Sequence, residues 1–579
     1  MSIRLLSEET INKIAAGEVI ERPANVVKEL VENSIDAGST AIEIEIKGAG
    51  RHLIRVRDNG GGMTREDMCL SVMRHATSKI AGFSDLDTLH SLGFRGEALP
   101  SIASVSHLLM QSRPHDAPDG WEIALAGGKE TVSKAWAGAP GTTIEVSRLF
   151  FNTPAREKFL KSDITERNRI IHIIEELSLA WPNVAFRIVS EGKTILDAPR
   201  ASTDMERFFD VLGKDFASTL APVSVDHPSL TLRAYITKRD KSLSSRGFQY
   251  LFLNRRPVNL GKIVMHALYE AYRENLPAGR HPGAVIFLEL DPSTIDVNIH
   301  PTKREVRFSR EQETHQFLVH AFRGTLQNIP FESIPVPTEE PVPPPTPLTF
   351  KENLPGEYGR HTPSFPAAQN FPVNTLKQPA PPPRGLELEE EPRTIGQAFG
   401  LYIVAQFRDE LFIIDQHAAA ERVRYEAYKA QFEKREIPVQ GLLIPVTMEL
   451  PPSRAGLLRE NLPLLAAAGW EAGEFGMRTI RITALPAVLG ASAQAADILH
   501  EILQALTDEG PLPTEQKIDV VIRAACRSSI KANEHISPEE SLRLIKDLFR
   551  CTSPYTCPHG RPTAFTIARH ELERYFGRK

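Results

Sequence analysis

The segment GEVIERPANVVKELVENSIDAG, residues 17–38, is the part of the chain around which we expect the fold to be organised. Its apolar residues recur at helical spacing from about Pro23 and stop near residue 36; they are Val26, Val27, Leu30 and Val31. Glu29 and Asn33 lie four positions apart and project from one side of this helix. A carboxylate there suits proton abstraction from water and an amide oxygen suits Mg²⁺, although the same pair is also typical of a solvated helix face.

Three later segments carry further polar and glycine-rich patterns. Residues 58–62, DNGGG, follow the alternating strand 53–57 and favour close approach of a ligand to the backbone, with an ordinary turn as the alternative. Residues 74–79 read RHATSK, and residues 93–99 read GFRGEAL. The glycines of the latter precede a predicted helix start, where backbone N–H groups and the helix dipole attract phosphate.

Taken in this order and spacing, KELVENSIDAG, DNGGGM, RHATSK and GFRGEAL resemble the four nucleotide motifs of the MutL DNA mismatch repair proteins. That family belongs to the GHKL ATPases, together with type II topoisomerases, Hsp90-type chaperones and sensor histidine kinases. GFRGEAL and residues 141–160, GTTIEVSRLFFNTPAREKFL, are similar to the MutL branch in particular. The resemblance covers nearly the whole chain except a middle segment.

Residues 1–200 alternate helical and strand patterns, which predicts an α/β sandwich with helices on one side of a mixed sheet. The resemblance implies that this unit is a Bergerat-type ATPase domain that binds ATP and Mg²⁺. It implies Glu29 as general base, Asn33 as Mg²⁺ ligand and Asp58 as the partner of the adenine amino group. The other residues that it places around the nucleotide are Gly62, Thr77, Lys79, Gly93, Phe94, Arg95, Gly96, Glu97, Ala98, Leu99 and Thr143.

Length and composition set the broader limits. A chain of 579 residues is too long for one core, so we expect two to four domains. We find no apolar run long enough for a transmembrane helix and no signal peptide, and four cysteines do not form a disulfide framework, so a cytoplasmic protein is expected. The net charge of −5 argues against a uniformly basic nucleic-acid binder.

Residues 201–330 form a second predicted domain, which resembles the ribosomal-S5-like transducer of the superfamily. By resemblance, Lys303 reaches the γ-phosphate of ATP in the first domain. Judged without the resemblance, a lone lysine is an ordinary solvated charge. Residues 233–262 are rich in Lys and Arg and contain a single acid. Either this is a solvated face, or it tracks DNA phosphates without reading sequence, through Arg239, Arg255, Arg256 and Lys262.

Residues 331–393 are rich in proline, as in PVPPPTP and PAPPPRG. Such a composition does not bury a core, so we predict a disordered linker with polyproline II character.

Residues 394–579 form a third predicted unit with α+β character. Two apolar runs at 401–405 and 411–414 predict paired strands, followed by a helix. Asp415, His417 and Glu421 converge if the strand continues into that helix, and their oxygen and nitrogen donors suit Zn²⁺ or Mn²⁺. Glu426 lies five positions after Glu421 and points away from it, so we doubt that both bind one ion. Downstream, CPHGRP presents Cys557 and His559, and Cys526 is another thiol.

DQHAAAERVRYE, residues 415–426, matches the DQHA-x2-E-x4-E motif of MutL proteins that carry a latent endonuclease, and CPHGRP matches its companion motif. The resemblance implies metal-dependent DNA nicking, with Mn²⁺ or Zn²⁺ held by Asp415, His417, Glu421, Cys557 and His559. Asp415 and Glu421 would also serve catalysis, and the membership of Glu426 and Cys526 stays open. The alternative is a non-enzymatic matchmaker whose C-terminal metal site is structural.

Residues 440–445, QGLLIP, are similar to a sliding-clamp motif through Gln440, Leu443 and Pro445, with a plain strand that ends at proline as the alternative. The family further implies a homodimer held by the C-terminal domain, coupling to MutS, and DNA binding with little sequence preference. Another GHKL machine, such as a chaperone or topoisomerase, is disfavoured because the chain lacks an active-site tyrosine context and a phosphorylatable histidine box.

Overall fold

A computed structural model describes residues 20–79, 92–93, 96–227, 230–239, 241–259, 261–273, 276, 280–291, 295–296, 307–308, 310–328, 392–490, 494–508, 512–527 and 536–578. The predictions for Phe94, Arg95 and Lys303, and those for nearly all of the proline-rich segment, lie outside these residues. Within this part of the chain, no helix has the length and apolarity that a membrane crossing requires.

An eight-stranded mixed sheet forms the first unit, in the order β5-β4-β3-β6-β2-β1-β7-β8. The strands are β1 (Ala41–Lys47), β2 (Leu53–Asp58), β3 (His107–Arg113), β4 (Gly120–Ala126), β5 (Lys129–Trp136), β6 (Gly141–Ser147), β7 (Ala185–Ser190) and β8 (Lys193–Ala198). β1 pairs parallel to β7, whereas its pairing with β2 is antiparallel. Alternate residues of β1 are buried, so one face of the sheet is covered and the other is open.

The described part of the first unit also contains five α-helices. They are α1 (Pro23–Asp36), α2 (Arg65–Ser71), α3 (Ala98–Ser104), α4 (Pro154–Phe159) and α5 (Asp163–Ala180). All of them except α4 bury residues in the core of this unit. The apolar sides of α1 and α5 join the inward residues of the strands in one core. The predicted α/β sandwich with a mixed sheet is therefore confirmed, and α1 begins and ends where the apolar spacing predicts.

A five-stranded sheet in the order β12-β11-β13-β10-β9 forms the second unit. Its strands are β9 (Leu220–His227), β10 (Leu230–Thr237), β11 (Gln249–Leu253), β12 (Arg256–Val258) and β13 (Ala284–Leu290), with a small pair β14 (Ile295–Asp296) and β15 (Arg307–Phe308). Its helices are α6 (Asp204–Leu212), α7 (Lys214–Ala217), α8 (Lys262–Ala271) and α9 (Glu311–Asn328). α8 and α9 share a core with this sheet.

The third unit contains two sheets, β16-β17-β18-β22 and β19-β21-β20. Its strands are β16 (Arg393–Ala398), β17 (Tyr402–Phe407), β18 (Glu410–Asp415), β19 (Val439–Glu449), β20 (Glu471–Glu474), β21 (Thr479–Pro486) and β22 (Ala564–Ala568). Its helices are α10 (Gln416–Glu433), α11 (Pro452–Ala467), α12 (Ala495–Asp508), α13 (Thr514–Arg527), α14 (Pro538–Arg550) and α15 (Arg569–Tyr575). The predicted strand pair is confirmed as β17 and β18, which pair antiparallel and lead directly into α10.

The third unit lies against the first two. The backbone N–H and the hydroxyl of Ser453 donate to the buried Glu175 carboxylate at 2.8 and 2.7 Å. Arg280 in the second unit pairs with Asp497 at 2.7 Å. Polar contacts thus hold the C-terminal unit on the N-terminal pair in this conformation.

Candidate functional site

Helix α1 presents the first pair of candidate residues on its partly exposed side. Pro23 occupies the first helical turn, where its missing N–H costs nothing, and it fixes the start of the helix. Val27 and Leu30 are buried against the sheet, whereas Glu29 and Asn33 are only partly covered. The apolar contact of α1 thereby holds a carboxylate and an amide together at an accessible surface.

Asp58 ends strand β2 with its side chain turned inward. Its carboxylate accepts hydrogen bonds from the Ser34 hydroxyl at 2.7 Å and from the Gly60 N–H at 2.9 Å. Burial raises the pKa of Asp58, and these two hydrogen bonds act in the opposite direction. The result is a buried carboxylate of fixed orientation that is hydrogen-bonded directly to α1 through Ser34.

Two glycines allow the strand ends to meet beside Asp58. Gly62 has φ +73°, and a Cβ at this position would lie 2.2 Å from the carbonyl oxygen of Arg113. A Cβ on Gly141, whose φ is +115°, would lie 2.2 Å from the carbonyl oxygen of Asp58. Neither position accepts a side chain, so both glycines are structural requirements of this pocket.

The register of β2 and β6 decides which threonine of β6 shares the face of Asp58. Asp58 is paired with Thr142, and Arg57 is paired with Thr143. Because directly paired residues project to the same face, Thr142 shares the buried face of Asp58 and Thr143 lies on the opposite face. Thr142 is therefore the hydroxyl on the face of Asp58, and the predicted role of Thr143 at the nucleotide stays a prediction.

Lys79 ties a loop to the C-terminal end of α1. Its ammonium donates to Asn33 Oδ1 at 2.9 Å and to Asp36 Oδ2 at 2.5 Å. The Asp36 carboxylate also accepts from the N–H groups of Leu92 and Gly93 at 3.0 and 3.2 Å. Asp36 is thus the anchor of both predicted nucleotide loops, although it was not among the predicted site residues.

The two loops also contact each other. Gly96 has φ +60°, and a Cβ at this position would lie 2.4 Å from the carbonyl oxygen of Ala76. Thr77 accepts a hydrogen bond from the Lys79 N–H at 3.2 Å, which shapes the first loop. Glu97 is the N-cap residue of helix α3, and Ala98 and Leu99 are its first two residues.

A second candidate site begins where β18 enters α10. Asp415 caps the helix, because its Oδ1 accepts from the N–H groups of His417 and Ala418 at 2.9 and 3.0 Å. Both hydrogen bonds use the same oxygen. Glu421 follows one helical turn after His417 and faces the segment that contains CPHGRP.

Glu421, Cys557 and His559 form a compact group whose ligand atoms all lie within 4.8 Å of one another. Glu421 Oε2 is 3.3 Å from His559 Nδ1, and Cys557 is 2% exposed. The N–H of Cys557 donates to the carbonyl of Arg561 at 2.8 Å, which brings the thiol and the imidazole to one side of a turn. A carboxylate, a thiol and an imidazole at this spacing fit Zn²⁺ or a similar divalent ion.

The structure does not bring all five predicted ligands into that group. Neither Asp415 nor His417 places a ligand atom within 4.8 Å of all three members. Cys526 is fully buried in the neighbouring core, and burial raises the pKa of its thiol to about 12. In the described part of the chain, the group therefore consists of three residues.

Glu426 has a different environment from Glu421. Its carboxylate accepts from the N–H groups of Thr552 and Ser553 at 2.6 and 3.2 Å, and it pairs with Arg422 at 3.4 Å. These contacts hold the segment that precedes Cys557 against α10. The second glutamate of the motif thus supports the loop that carries two members of the group.

Arg239, one of the predicted DNA-contacting residues, follows β10, and the others lie at the β11–β12 hairpin and at the start of α8. Arg255 and Lys262 are exposed, whereas Arg239 and Arg256 are partly covered. The Arg255 guanidinium lies 5.0 Å from the centre of the Trp181 ring, so the indole orients it. Exposed cations on a short hairpin and at a helix start are accessible to a phosphate backbone.

The predicted clamp motif lies on strand β19. Leu443 is 99% exposed and Ile444 is 78% exposed. The pairing of β19 with β21 is irregular between Gly441 and Val446, which is where the motif lies. An apolar pair that is lifted from the sheet in this way is an available docking element.

The mixed sheet, the buried Asp58 and the Asn33–Lys79–Asp36 cluster define a GHKL ATPase. Residues 21–122 match the family described as "Histidine kinase-, DNA gyrase B-, and HSP90-like ATPase". Residues 208–327 match "DNA mismatch repair protein, C-terminal domain", and residues 395–536 match "MutL C terminal dimerisation domain". The chain belongs to the MutL family of DNA mismatch repair proteins.

Whole-length relatives agree with these matches. The chain is 46% identical over 606 residues to DNA mismatch repair protein MutL of Endomicrobium trichonymphae, and the alignment covers 100% of both chains. It is 38% identical over 611 residues to DNA mismatch repair protein MutL of Pelobacter propionicus, which covers 100% of this chain and 99% of the relative. It therefore has an ATP-binding GHKL ATPase domain and a C-terminal dimerisation domain.

Proposed function

We propose that this chain couples mismatch recognition by MutS to repair through an ATP-driven cycle and nicks DNA at a metal site in its C-terminal unit. The proposed domains are the ATPase at 1–200, the transducer at 201–330, the linker at 331–393 and the dimerisation and nuclease unit at 394–579. The observation that carries the nicking proposal is the group of Glu421, Cys557 and His559.

In the ATPase domain, Asp58 would receive the adenine amino group, and Asn33 would ligate Mg²⁺. The fixed carboxylate of Asp58 and the tethering of both loops to α1 support this assignment. Glu29 would take the proton of the attacking water, and Lys303 would contact the γ-phosphate. Glu29→Ala should preserve ATP binding and abolish hydrolysis, measured as nucleotide affinity and phosphate release; a variant that still hydrolyses ATP would refute the role of Glu29.

In the C-terminal unit, Glu421, Cys557 and His559 would hold a Zn²⁺ or Mn²⁺ ion. The ion would supply Lewis-acid chemistry for phosphodiester hydrolysis. Asp415 uses one carboxylate oxygen for the helix cap, which leaves the other for the site, and His417 follows it on the same helix start. The residues of this chain would position the scissile phosphate next to the loop that Glu426 supports.

The decisive experiment is nicking of supercoiled plasmid with Mn²⁺ at low salt. Glu421→Gln and Asp415→Asn should lose nicking, whereas Glu433→Gln, an exposed glutamate on the same helix, should keep it. Equal nicking by all four proteins would overturn the nuclease assignment. Metal content measured on the same samples then tests the alternative of a structural zinc site. That alternative predicts that the Glu421 and Asp415 variants lose metal and that the wild-type protein does not nick DNA at all.

The proposed partners are a second copy of the chain, MutS, DNA and a sliding clamp, and the proposed location is the cytoplasm. Clamp binding would use Gln440, Leu443 and Pro445. Leu443→Ala should weaken binding to the clamp by at least tenfold without changing ATP hydrolysis, because the side chain is already exposed and carries no core contact. DNA binding through Arg255 and Lys262 should weaken steeply with salt and vary little with sequence.

A further inference from the structure

A second cluster of metal-ligating side chains lies far along the chain from the C-terminal group, in the second unit. His266 and Glu270 are four residues apart on α8, and His315 lies on α9. His266 Nδ1 is 2.8 Å from His315 Nε2. Glu270 Oε2 is 3.7 Å from His266 Nδ1 and 3.5 Å from His315 Nε2.

The three ligand atoms form a triangle that is small enough for one metal ion to lie at bonding distance from all of them. A point in the plane of the three atoms lies about 2.0 Å from each, which is the length of zinc–nitrogen and zinc–carboxylate bonds. The i,i+4 spacing places His266 and Glu270 on one face of α8, as in helical zinc motifs. Geometry and donor type therefore agree.

The neighbouring arginine contacts the carboxylate oxygen of Glu270 that the metal ion would not use. Arg323 lies 3.9 Å from Glu270 Oε1, which is the other oxygen of the carboxylate. The guanidinium contacts the carboxylate through Oε1, while Oε2 faces the two imidazoles. The His266 side chain is 72% exposed, so an ion can enter from solvent and retain a water ligand.

We propose that His266, Glu270 and His315 form a second divalent transition-metal site, with Zn²⁺ as the fitting ion. Two imidazoles and one carboxylate select borderline ions of this kind over Mg²⁺, which prefers oxygen ligands alone. The ion replaces the direct contact between the two histidines and joins α8 to α9. α9 is the last described helix before the proline-rich segment, so the site stabilises the C-terminal end of the described second unit.

The test uses the full chain, stripped of metal with a chelator and titrated with Zn²⁺ and with Co²⁺. His315→Ala should bind one equivalent of Zn²⁺ less than wild type, and His320→Ala, an exposed histidine on the same helix, should bind as much as wild type. Co²⁺ separates the two sites, because only a thiolate ligand such as Cys557 gives a sulfur-to-metal charge-transfer band. His315→Ala should keep that near-ultraviolet band and lose only the part of the visible d–d absorption that the His266–Glu270–His315 site contributes.

A structural readout accompanies the metal count. Zn²⁺ should raise the melting temperature of the unit that contains α8 and α9 in wild type and in His320→Ala, but not in His315→Ala. If His315→Ala fails to fold, His266→Gln replaces it, since His266 is mostly exposed. Unchanged zinc stoichiometry in a folded His315→Ala or His266→Gln variant would overturn the proposal, whatever the state of the C-terminal site.

Discussion

Replacement of Glu426 tests whether the second glutamate of the DQHA motif supports the fold of the loop or binds metal. Its carboxylate accepts two backbone hydrogen bonds, from Thr552 at 2.6 Å and from Ser553 at 3.2 Å. It also pairs with Arg422, and the side chains of the two partners are 20% and 11% exposed. Glu426→Ala removes all three contacts and leaves two N–H groups and a guanidinium without this acceptor.

The size of the effect follows from these contacts. A hydrogen bond to a charged group contributes roughly 1.5–3 kcal/mol, and bonds to one carboxylate are not additive. We therefore expect a loss of about 2–3 kcal/mol for Glu426→Ala. For a unit of this size, each kcal/mol corresponds to about 2–4 °C, so the melting temperature should fall by about 4–12 °C.

The assay is thermal unfolding of the full chain together with zinc content at the C-terminal site. Glu433→Ala, on the exposed side of the same helix, is the matched control and should unfold like wild type. Glu421→Ala should show the opposite pattern, with metal lost and little change in the metal-free melting temperature. A Glu426→Ala protein that unfolds like wild type but binds no metal would refute this account.

Three further predictions concern other residues. Ser34→Ala removes a 2.7 Å hydrogen bond to Asp58, so the pKa of that carboxyl should rise further and ATP affinity should fall about tenfold, measured by calorimetry near neutral pH. Asp415→Ala should cost about 1 kcal/mol in thermal unfolding because it removes the α10 cap, whereas Asp415→Asn should cost almost nothing. Burial raises the pKa of Glu501 from 4.5 to about 7. The contribution of its protonated form to the free energy of unfolding is therefore complete below pH 4.5 and is lost as the pH rises through 7. Melting curves recorded between these pH values should show this dependence in wild type and a flatter one in Glu501→Gln.

The elements that could be predicted from sequence are those with a strong local pattern. Helix α1 follows from apolar spacing that begins at Pro23, and the β17–β18 pair follows from two apolar runs around a short turn. In both cases the same residues that show the pattern also make the core contacts, so local and tertiary preferences agree.

Contacts between distant segments could not be predicted in the same way. Thr142 and Thr143 are adjacent in sequence, and only the pairing register decides which of them faces Asp58. Glu421 and His559 are separated by 138 positions, so the residue types indicated a metal site but not which donors meet. The role of Asp36 was missed although it belongs to the same motif as Asn33, because its partners come from loops that lack any periodic pattern.

Asp36 also links the predicted chemistry of the ATPase site to the motion of its loops. Asn33 Oδ1 accepts from Lys79, and it is the same oxygen that Mg²⁺ would need, so binding of Mg²⁺ must displace the ammonium. The hydrogen bonds of Asp36 to Lys79 and to the backbone of residues 92–93 would hold both loops near Asn33 during such an exchange.

Asp36→Asn should therefore raise the KM for ATP about tenfold, because the mostly buried ion pair and the two charge-assisted hydrogen bonds together contribute on the order of 1.4 kcal/mol. Asp116→Asn, at an exposed loop position, should leave the KM unchanged. Steady-state ATP hydrolysis at varied ATP concentration measures the KM of both variants. An unchanged KM for Asp36→Asn would show that the two loops reach the nucleotide without this anchor, and that the exchange at Asn33 does not involve Asp36.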